Sequence, residues 1–270
     1  LGGSPRWLEW DNGNMAVRAT GSGPGGQQGS AVGEVLGGGM PEVVYSGEET
    51  VHLITFTASG MTVSQIGSNS SDEGVAIGDF NADGKPDVAA NDGNNAIWFE
   101  NNGTTSNWTR HVVGRADRGN GDNAYTDKVG AADINGDGLT DILLTEEIFD
   151  SGAAKTYWWK NPGAGGVQSQ WPQRTTIASQ DSTNSMSVAD MDSDGDIDVI
   201  TGEKFGDLEA VVWENDGTGL EWTKHRISIG HENHGGTKVK DLDNDGDLDV
   251  VSIGYDQPQD LHIYRNDAIQ

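Results

Sequence analysis

The sequence has 270 residues, with 16 basic against 43 acidic side chains for a net charge of −27, 40 glycines, nine tryptophans and no cysteine. This charge excludes nucleic acid as a partner and disfavours an anionic membrane surface, no run of 18 apolar residues offers a membrane-inserting helix, and the lack of cysteine removes disulfides, thiolate metal ligands and thiol nucleophiles. Such acidity leaves disorder, a high-salt habitat or carboxylates gathered around cations, and nine tryptophans among regular apolar stretches speak against disorder.

Residues 1–23 begin with Arg6-Trp-Leu-Glu-Trp10-Asp-Asn-Gly13 and continue through Met15-Ala-Val-Arg18. They are read as a strand that closes a ring with the last repeat. Trp10-Asp-Asn-Gly13 also resembles the end of a third blade strand, which would make the segment part of another blade. Residues 27–70 hold a worn nine-residue frame from Glu34 to Glu42, in which Leu36 and Gly38 stand where later copies carry oxygen-bearing side chains. The repeat at 71–116 carries Asp79-Phe-Asn81-Ala-Asp83-Gly84-Lys85-Pro86-Asp87, then Trp98-Phe-Glu-Asn101 and Trp108-Thr-Arg-His111. The repeat at 125–179 carries Asp133-Ile-Asn135-Gly-Asp137-Gly138-Leu139-Thr-Asp141, then Trp158-Trp-Lys-Asn161 and Trp171 to Ile177. The repeat at 183–230 carries Asp190-Met-Asp192-Ser-Asp194-Gly195-Asp196-Ile-Asp198, Val212-Trp213-Glu-Asn215 and Trp222-Thr-Lys-His225-Arg-Ile227. The repeat at 234–270 carries Asp241-Leu-Asp243-Asn-Asp245-Gly246-Asp247-Leu-Asp249 and Ile263-Tyr264-Arg-Asn266, without a fourth strand of its own.

The frames start at 34, 79, 133, 190 and 241, with steps of 45, 54, 57 and 51. A period near 50 fits blades of four strands, so the fold expected is an all-β propeller with five repeats in one domain over residues 1–270. Short apolar runs bounded by Gly and Asp, such as Val75-Ala-Ile77 and Val199-Ile-Thr201, read as buried strands. Each unit then reads strand A, acidic loop, strand B, turn, strand C ending in an aromatic, Gly-rich turn, strand D.

The loop chemistry points to Ca²⁺, which takes six to eight oxygens. Positions 1, 3 and 5 place oxygen-bearing side chains on one side of a tight turn. Gly at position 6 permits the sharp bend, position 7 offers its carbonyl and Asp at position 9 adds a carboxylate. Four carboxylates a few ångströms apart repel one another unless a cation sits among them. An EF-hand would need Glu at position 12, which here is Ala90, Leu144, Thr201 or Ser252, and helices on both flanks. About four Ca²⁺ ions are expected, with weaker binding where Asn81 and Asn135 replace Asp.

These loops and landmarks resemble the FG-GAP/VCBS family of propeller repeats, also found in integrin α-subunit heads and some fungal lectins. The resemblance covers roughly residues 30–268. It implies mainly structural calcium, held in the loop between strands A and B on one face of the ring by positions 1, 3, 5, 7 and 9 of the four copies quoted, and no metal in the worn first copy. Metal and folding should be coupled, and because calcium fills such sites outside cells, a secreted or cell-surface location is expected.

Activity is expected on the opposite face, in the connections Arg115 to Lys128, Glu146 to Lys155, Lys204 to Asp207, His231 to His234 and Tyr255 to Asp260. Two histidines beside Glu232 can act as acid and base or as ligands. The candidates for catalysis are His231, His234, Tyr255 and Lys204, against a reading of the His231–His234 segment as a hydrogen-bonded connection. His111 and His225 recur at one position and are read as strand packing, as are Trp98, Trp158, Trp213 and Tyr264. Trp159, Tyr125 and Tyr255 break the repeat and are candidate sugar-stacking platforms, with packing as the plainer role. Three functions follow: a binding or adhesion module for carbohydrate or an extracellular protein, a polysaccharide lyase or sugar dehydratase, and a scaffold domain of a surface protein.

Overall fold

The computed structural model describes residues 5–11, 14–21, 23, 29–57, 60–71, 73–116, 125–148, 154–256 and 260–267, and no helix occurs among them. Two strands, β1 (Arg6–Asp11) and β2 (Asn14–Thr20), pair as a ribbon. The first sheet comprises β3 (Ser30–Gly33), β4 (Glu42–Gly47), β5 (Thr50–Thr57) and β6 (Gly60–Ser68). The second comprises β7 (Val75–Gly78), β8 (Asp87–Asp92), β9 (Asn95–Glu100) and β10 (Thr109–Arg115). The third holds β11 (Tyr125–Ala132), β12 (Asp141–Glu147), β13 (Ala154–Trp159) and β14 (Arg174–Gln180). The fourth holds β15 (Thr183–Ala189), β16 (Asp198–Glu203), β17 (Ala210–Asn215) and β18 (Trp222–Ser228). The fifth has β19 (Gly236–Lys240), β20 (Asp249–Ile253) and β21 (Leu261–Tyr264).

Every sheet is an antiparallel meander in sequence order. The first strands of all five line one axial channel, contributing Val32, Ile77, Ala131, Val188 and Lys238. The architecture is a five-bladed β-propeller.

Period-two alternation explains why the strands read as continuous apolar runs, since both faces of each blade are covered. In β8, Val88 packs with Val44 and Val51 of the first blade, while Ala89 joins Ile142 and Tyr157 of the third. Leu143 and Trp158 pack in the same way on Val199 and Val211, and Ile200 on Val250. The expected packing role of Trp98, Trp158 and Trp213 holds, and Trp159 is buried in the same interfaces. Blade contact is close enough that a Cβ on Gly114 would lie 2.3 Å from Trp159 Nε1.

The N-terminal segment supplies two strands that pair with each other, with Leu8 opposite Val17. Trp7 meets Phe56 edge-on at 5.6 Å between ring centres. The ribbon therefore covers the face of the first sheet formed by Val43, Tyr45, Ile54 and Phe56, as the last hairpin of a blade would. Among the described residues no strand pairs with the outer edge of β21.

Candidate metal centres

Each acidic loop leaves the end of a blade's first strand and returns at the start of its second. The turn needs left-handed backbone twice. Position 4 is Ala82 (φ 57°), Gly136 (67°), Ser193 (64°) or Asn244 (62°), and the Gly at position 6 has φ between 83° and 105°. Only glycine adopts such angles without steric cost, so position 4 stores strain in three loops.

The side chains organise the turn before any ion is considered. Asp190 accepts the amides of Asp194 (3.1 Å) and Gly195 (3.0 Å), Asp192 accepts that of Asp194 (3.2 Å), and Asp194 accepts that of Asp196 (2.9 Å). The same pattern joins Asp79, Asn81, Asp83, Gly84 and Lys85, and Asp133, Asp137, Gly138 and Leu139. These bonds turn carboxylates inward: one oxygen from each of Asp190, Asp192 and Asp194 lies within 4.8 Å of the others, and Asp241, Asp243 and Asp245 do the same. A donor set of three hard oxygens at that separation fits Ca²⁺.

Position 9 has a second task. Asp141 is fully buried and accepts the amides of Ile134 (3.0 Å) and Asn161 (2.7 Å). Asp87, Asp198 and Asp249 clip their loops in the same way. Burial pushes Asp87 and Asp141 up to about 7 and Asp198 to about 6, against the amide bonds that favour the charged form.

The asparagine at the end of the third strand in the four later blades proves to be a staple between neighbouring loops. Asn161 Nδ2 donates to Thr140 O of its own loop (2.8 Å) and to Phe80 O of the preceding one (2.9 Å). Asn101 ties Pro86 to Val35, Asn215 ties Ile197 to Ile134, and Asn266 reaches Met191. The recurrence of Asn was visible in the sequence, but its bond to the previous repeat was not.

The worn first frame keeps the hydrogen bonds of this scaffold without the ligands, but its position 5, Gly38, has φ 131°, which the aspartates there in the other loops do not adopt. Glu34 accepts the amide of Gly39, Glu42 accepts those of Val35 and Leu36, and Gly37 and Gly39 supply the left-handed positions. Basic side chains stand at the rim of three loops: Lys85 on Asp83 (2.7 Å), Lys160 on Asp137 (3.0 Å) and Arg265 on Asp243 (2.9 Å). Among the described residues none pairs with Asp190, Asp192 or Asp194, and the neighbouring carboxylates Asp194, Glu214 and Asp190 help burial to raise Asp192.

A family model described as the FG-GAP-like repeat matches residues 79–144, 133–201 and 190–252, each match running from one acidic loop through the next. The chain belongs to the FG-GAP-like repeat family. Its loops are the acidic A-to-B loops of that repeat, and its staples join successive FG-GAP-like units. None of the curated proteins compared with the chain matches it.

On the opposite face, His234 is 4% exposed, its Nδ1 stands 3.5 Å from Glu232 Oε1, and its ring centre is 4.9 Å from that of Tyr255. Burial, then the charges of Lys204 and Lys128, lower its pKa to about 4. The His231 ring centre stands 4.5 Å from that of His262. Lys204 sits 3.6 Å from Glu147 and over Phe205. Tyr125 and Tyr255 are exposed. His111 stacks on Trp98 at 4.4 Å and bonds Glu100, as a packing histidine does. Parts of the expected functional connections, residues 117–124, 149–153 and 257–259, lie outside the described residues.

Sequence reasoning missed two buried acids here. Asp127 is 1% exposed, accepts Asn184 Nδ2 at 2.8 Å and pairs with Lys128, and burial pushes it up to about 7. Glu203 rises to about 7 for the same reason while accepting the amide of Glu209 at 2.8 Å. Their strands, Tyr125-Thr-Asp127-Lys-Val and Asp198-Val-Ile-Thr-Gly-Glu203, carry other polar residues, so nothing in the sequence marked these two acids as buried.

Proposed function

We propose that this FG-GAP-like propeller is an exported binding module, stabilised by Ca²⁺ in the loops at 79–87, 133–141, 190–198 and 241–249, whose opposite face receives a carbohydrate or protein ligand. The observation that carries the reading is the convergence of Asp190, Asp192 and Asp194, and of Asp241, Asp243 and Asp245, to within 4.8 Å of one another. Like charges at that distance oppose folding unless a divalent ion neutralises them. The loop at 190–198, with no basic side chain paired to its three aspartates among the described residues, is the tightest site. Extracellular calcium is about millimolar, enough to fill modules of this class, which supports export.

Binding is favoured over lyase or dehydratase chemistry by the state of His234. A base must reach substrate, whereas this ring is 4% exposed. Tyr125 and Tyr255 offer open aromatic surface suited to sugar rings. The test has two arms. Thermal melting with calcium and after chelation should differ by at least about 10 °C, as loss of several linked ions implies; coincident curves would remove calcium from the account. Screening on glycan and extracellular-protein arrays, beside ultraviolet detection of unsaturated sugars, should give binding without product. Product formation would make the chain an enzyme, and silence on every arm would leave it a scaffold.

A further inference from the structure

The six histidines divide by what their rings meet. His52 contacts the Thr50 hydroxyl, His111 bonds Glu100, His225 bonds Glu214 and His234 stands 3.5 Å from Glu232. His231 and His262 differ. Among the described residues neither imidazole has a hydrogen bond or an ion pair; the two rings meet each other, with centres 4.5 Å apart and planes at 40°. His262 is half-buried and His231 exposed. A ring nitrogen withdrawn from water without a polar partner carries a cost, and two neighbouring imidazoles recover it when both donate lone pairs to one metal ion.

The fold holds both residues in place. Gly230 turns the chain after β18 with φ 80° and donates its amide to Asp207 O at 2.9 Å. Beyond it, Asn233 N donates to Glu203 O at 2.9 Å and Asn233 Nδ2 to His231 O at 2.6 Å. His262 lies in β21 opposite Ser252 of β20. Its ring stacks with Tyr264, whose hydroxyl accepts from Ser228 Oγ of the fourth blade at 2.9 Å. The pair therefore sits in the junction of the fourth and fifth blades, and its position does not depend on what pairs with the outer edge of β21.

Two imidazoles on one tetrahedral ion, with metal–nitrogen bonds of about 2.0–2.1 Å, hold their nitrogens roughly 3.4 Å apart. Rings centred 4.5 Å apart reach that spacing by rotation of the exposed His231 side chain. Imidazole nitrogen suits Zn²⁺, Cu²⁺ and Ni²⁺, whereas Ca²⁺ takes oxygen ligands, so this pair and the acidic loops select different ions. Asp260 is exposed and stands two residues before His262, on the same side of the chain by strand alternation, where it can add an oxygen. The net charge of −27 concentrates divalent cations near the surface, and a chain without cysteine has no thiolate to compete for them.

We propose that His231 and His262 form a binding site for a divalent transition-metal ion of the zinc or copper class, with Asp260 and water completing the coordination. The ion bridges the end of β18 to β21 and so clamps the fifth blade to the fourth. The site lies away from the acidic loops and does not rest on the ligand-binding function proposed above.

The probe is Zn²⁺, titrated by calorimetry into the intact chain at saturating calcium, which keeps the acidic loops occupied. One equivalent is expected to bind, with the imidazole proton resonances of His231 and His262 shifting together. His231→Ala and His262→Ala should each weaken binding at least about tenfold, since even outer partners of metal ligands are worth that much, and His225→Ala should leave it unchanged. His231 is exposed, so its replacement leaves the fold in place. Absence of zinc binding, affinity unaltered by His231→Ala, or binding lost with His225→Ala would each overturn the proposal.

Discussion

Replacing Asn161 with Ala removes a side chain that is 1% exposed and makes three hydrogen bonds: to Phe80 O and Thr140 O at 2.9 and 2.8 Å, and from Gly163 N at 2.9 Å. The backbone bond from Asn161 to Asp141 survives the change. Each lost bond costs about 1 kcal/mol, and more where a freed carbonyl stays dry, so the expected loss is about 3 kcal/mol or more. For a chain of this size that corresponds to a fall of about 6–12 °C in Tm. Asn266→Ala provides the comparison, because among the described bonds that half-buried side chain makes one, to Met191 O at 3.0 Å, against three for Asn161; about 1 kcal/mol is expected there. Urea unfolding of both variants at saturating calcium measures the two values. Because Asn161 links the loops at 79–87 and 133–141, its loss should also weaken calcium binding at both. A cost below about 0.5 kcal/mol for Asn161→Ala, or equal costs for the two variants, would show that the staples do not carry the coupling between units.

The first frame should stay without metal even when Leu36 and Gly38 are both changed to Asp, because Gly38 has φ 131°, which the aspartates at the same position of the other loops do not adopt; calorimetry should show no additional calcium per chain, and one additional ion would refute the view that the backbone disables the site. Glu203→Gln should stabilise the protein at pH 8 by about 1–3 kcal/mol. The folded pKa of Glu203 is raised to about 7 from 4.5, so the cost of its charge is absent below the unfolded value and complete above the folded one. The advantage should vanish by pH 4.5, and a pH-independent effect in urea titrations would contradict burial as its cause. Gly114→Ala drives a Cβ to 2.3 Å from Trp159 Nε1 and should cost about 1–3 kcal/mol as overpacking, visible as a Tm loss that the exposed Gly165→Ala does not share.

Much of the fold was legible because the blades repeat. Asp and Gly at fixed offsets located the four acidic loops, and apolar runs of four to six residues could be read as strands covered on both sides. What the sequence could not show lies between repeats. The bond from Asn161 to Phe80 joins residues far apart in the chain, and no local pattern distinguishes it from an ordinary turn asparagine. The N-terminal segment was ambiguous for a related reason. Its aromatics fit either a closing strand or the end of a hairpin, and only the apolar face at Tyr45 and Phe56 decides where it rests. On the opposite face, His234 looked chemical as one of three polar neighbours, yet its burial beneath Tyr255 follows from packing that the spacing does not encode.

The central claim, that clustered aspartates are held together by calcium, is tested most directly by counting the metal. Native mass spectrometry of the purified chain, dialysed against buffered calcium, should find four ions per chain, with the Asp192→Ala variant falling to three. A chain that carries no bound calcium under those conditions, and whose count is unchanged by Asp192→Ala, would contradict the account.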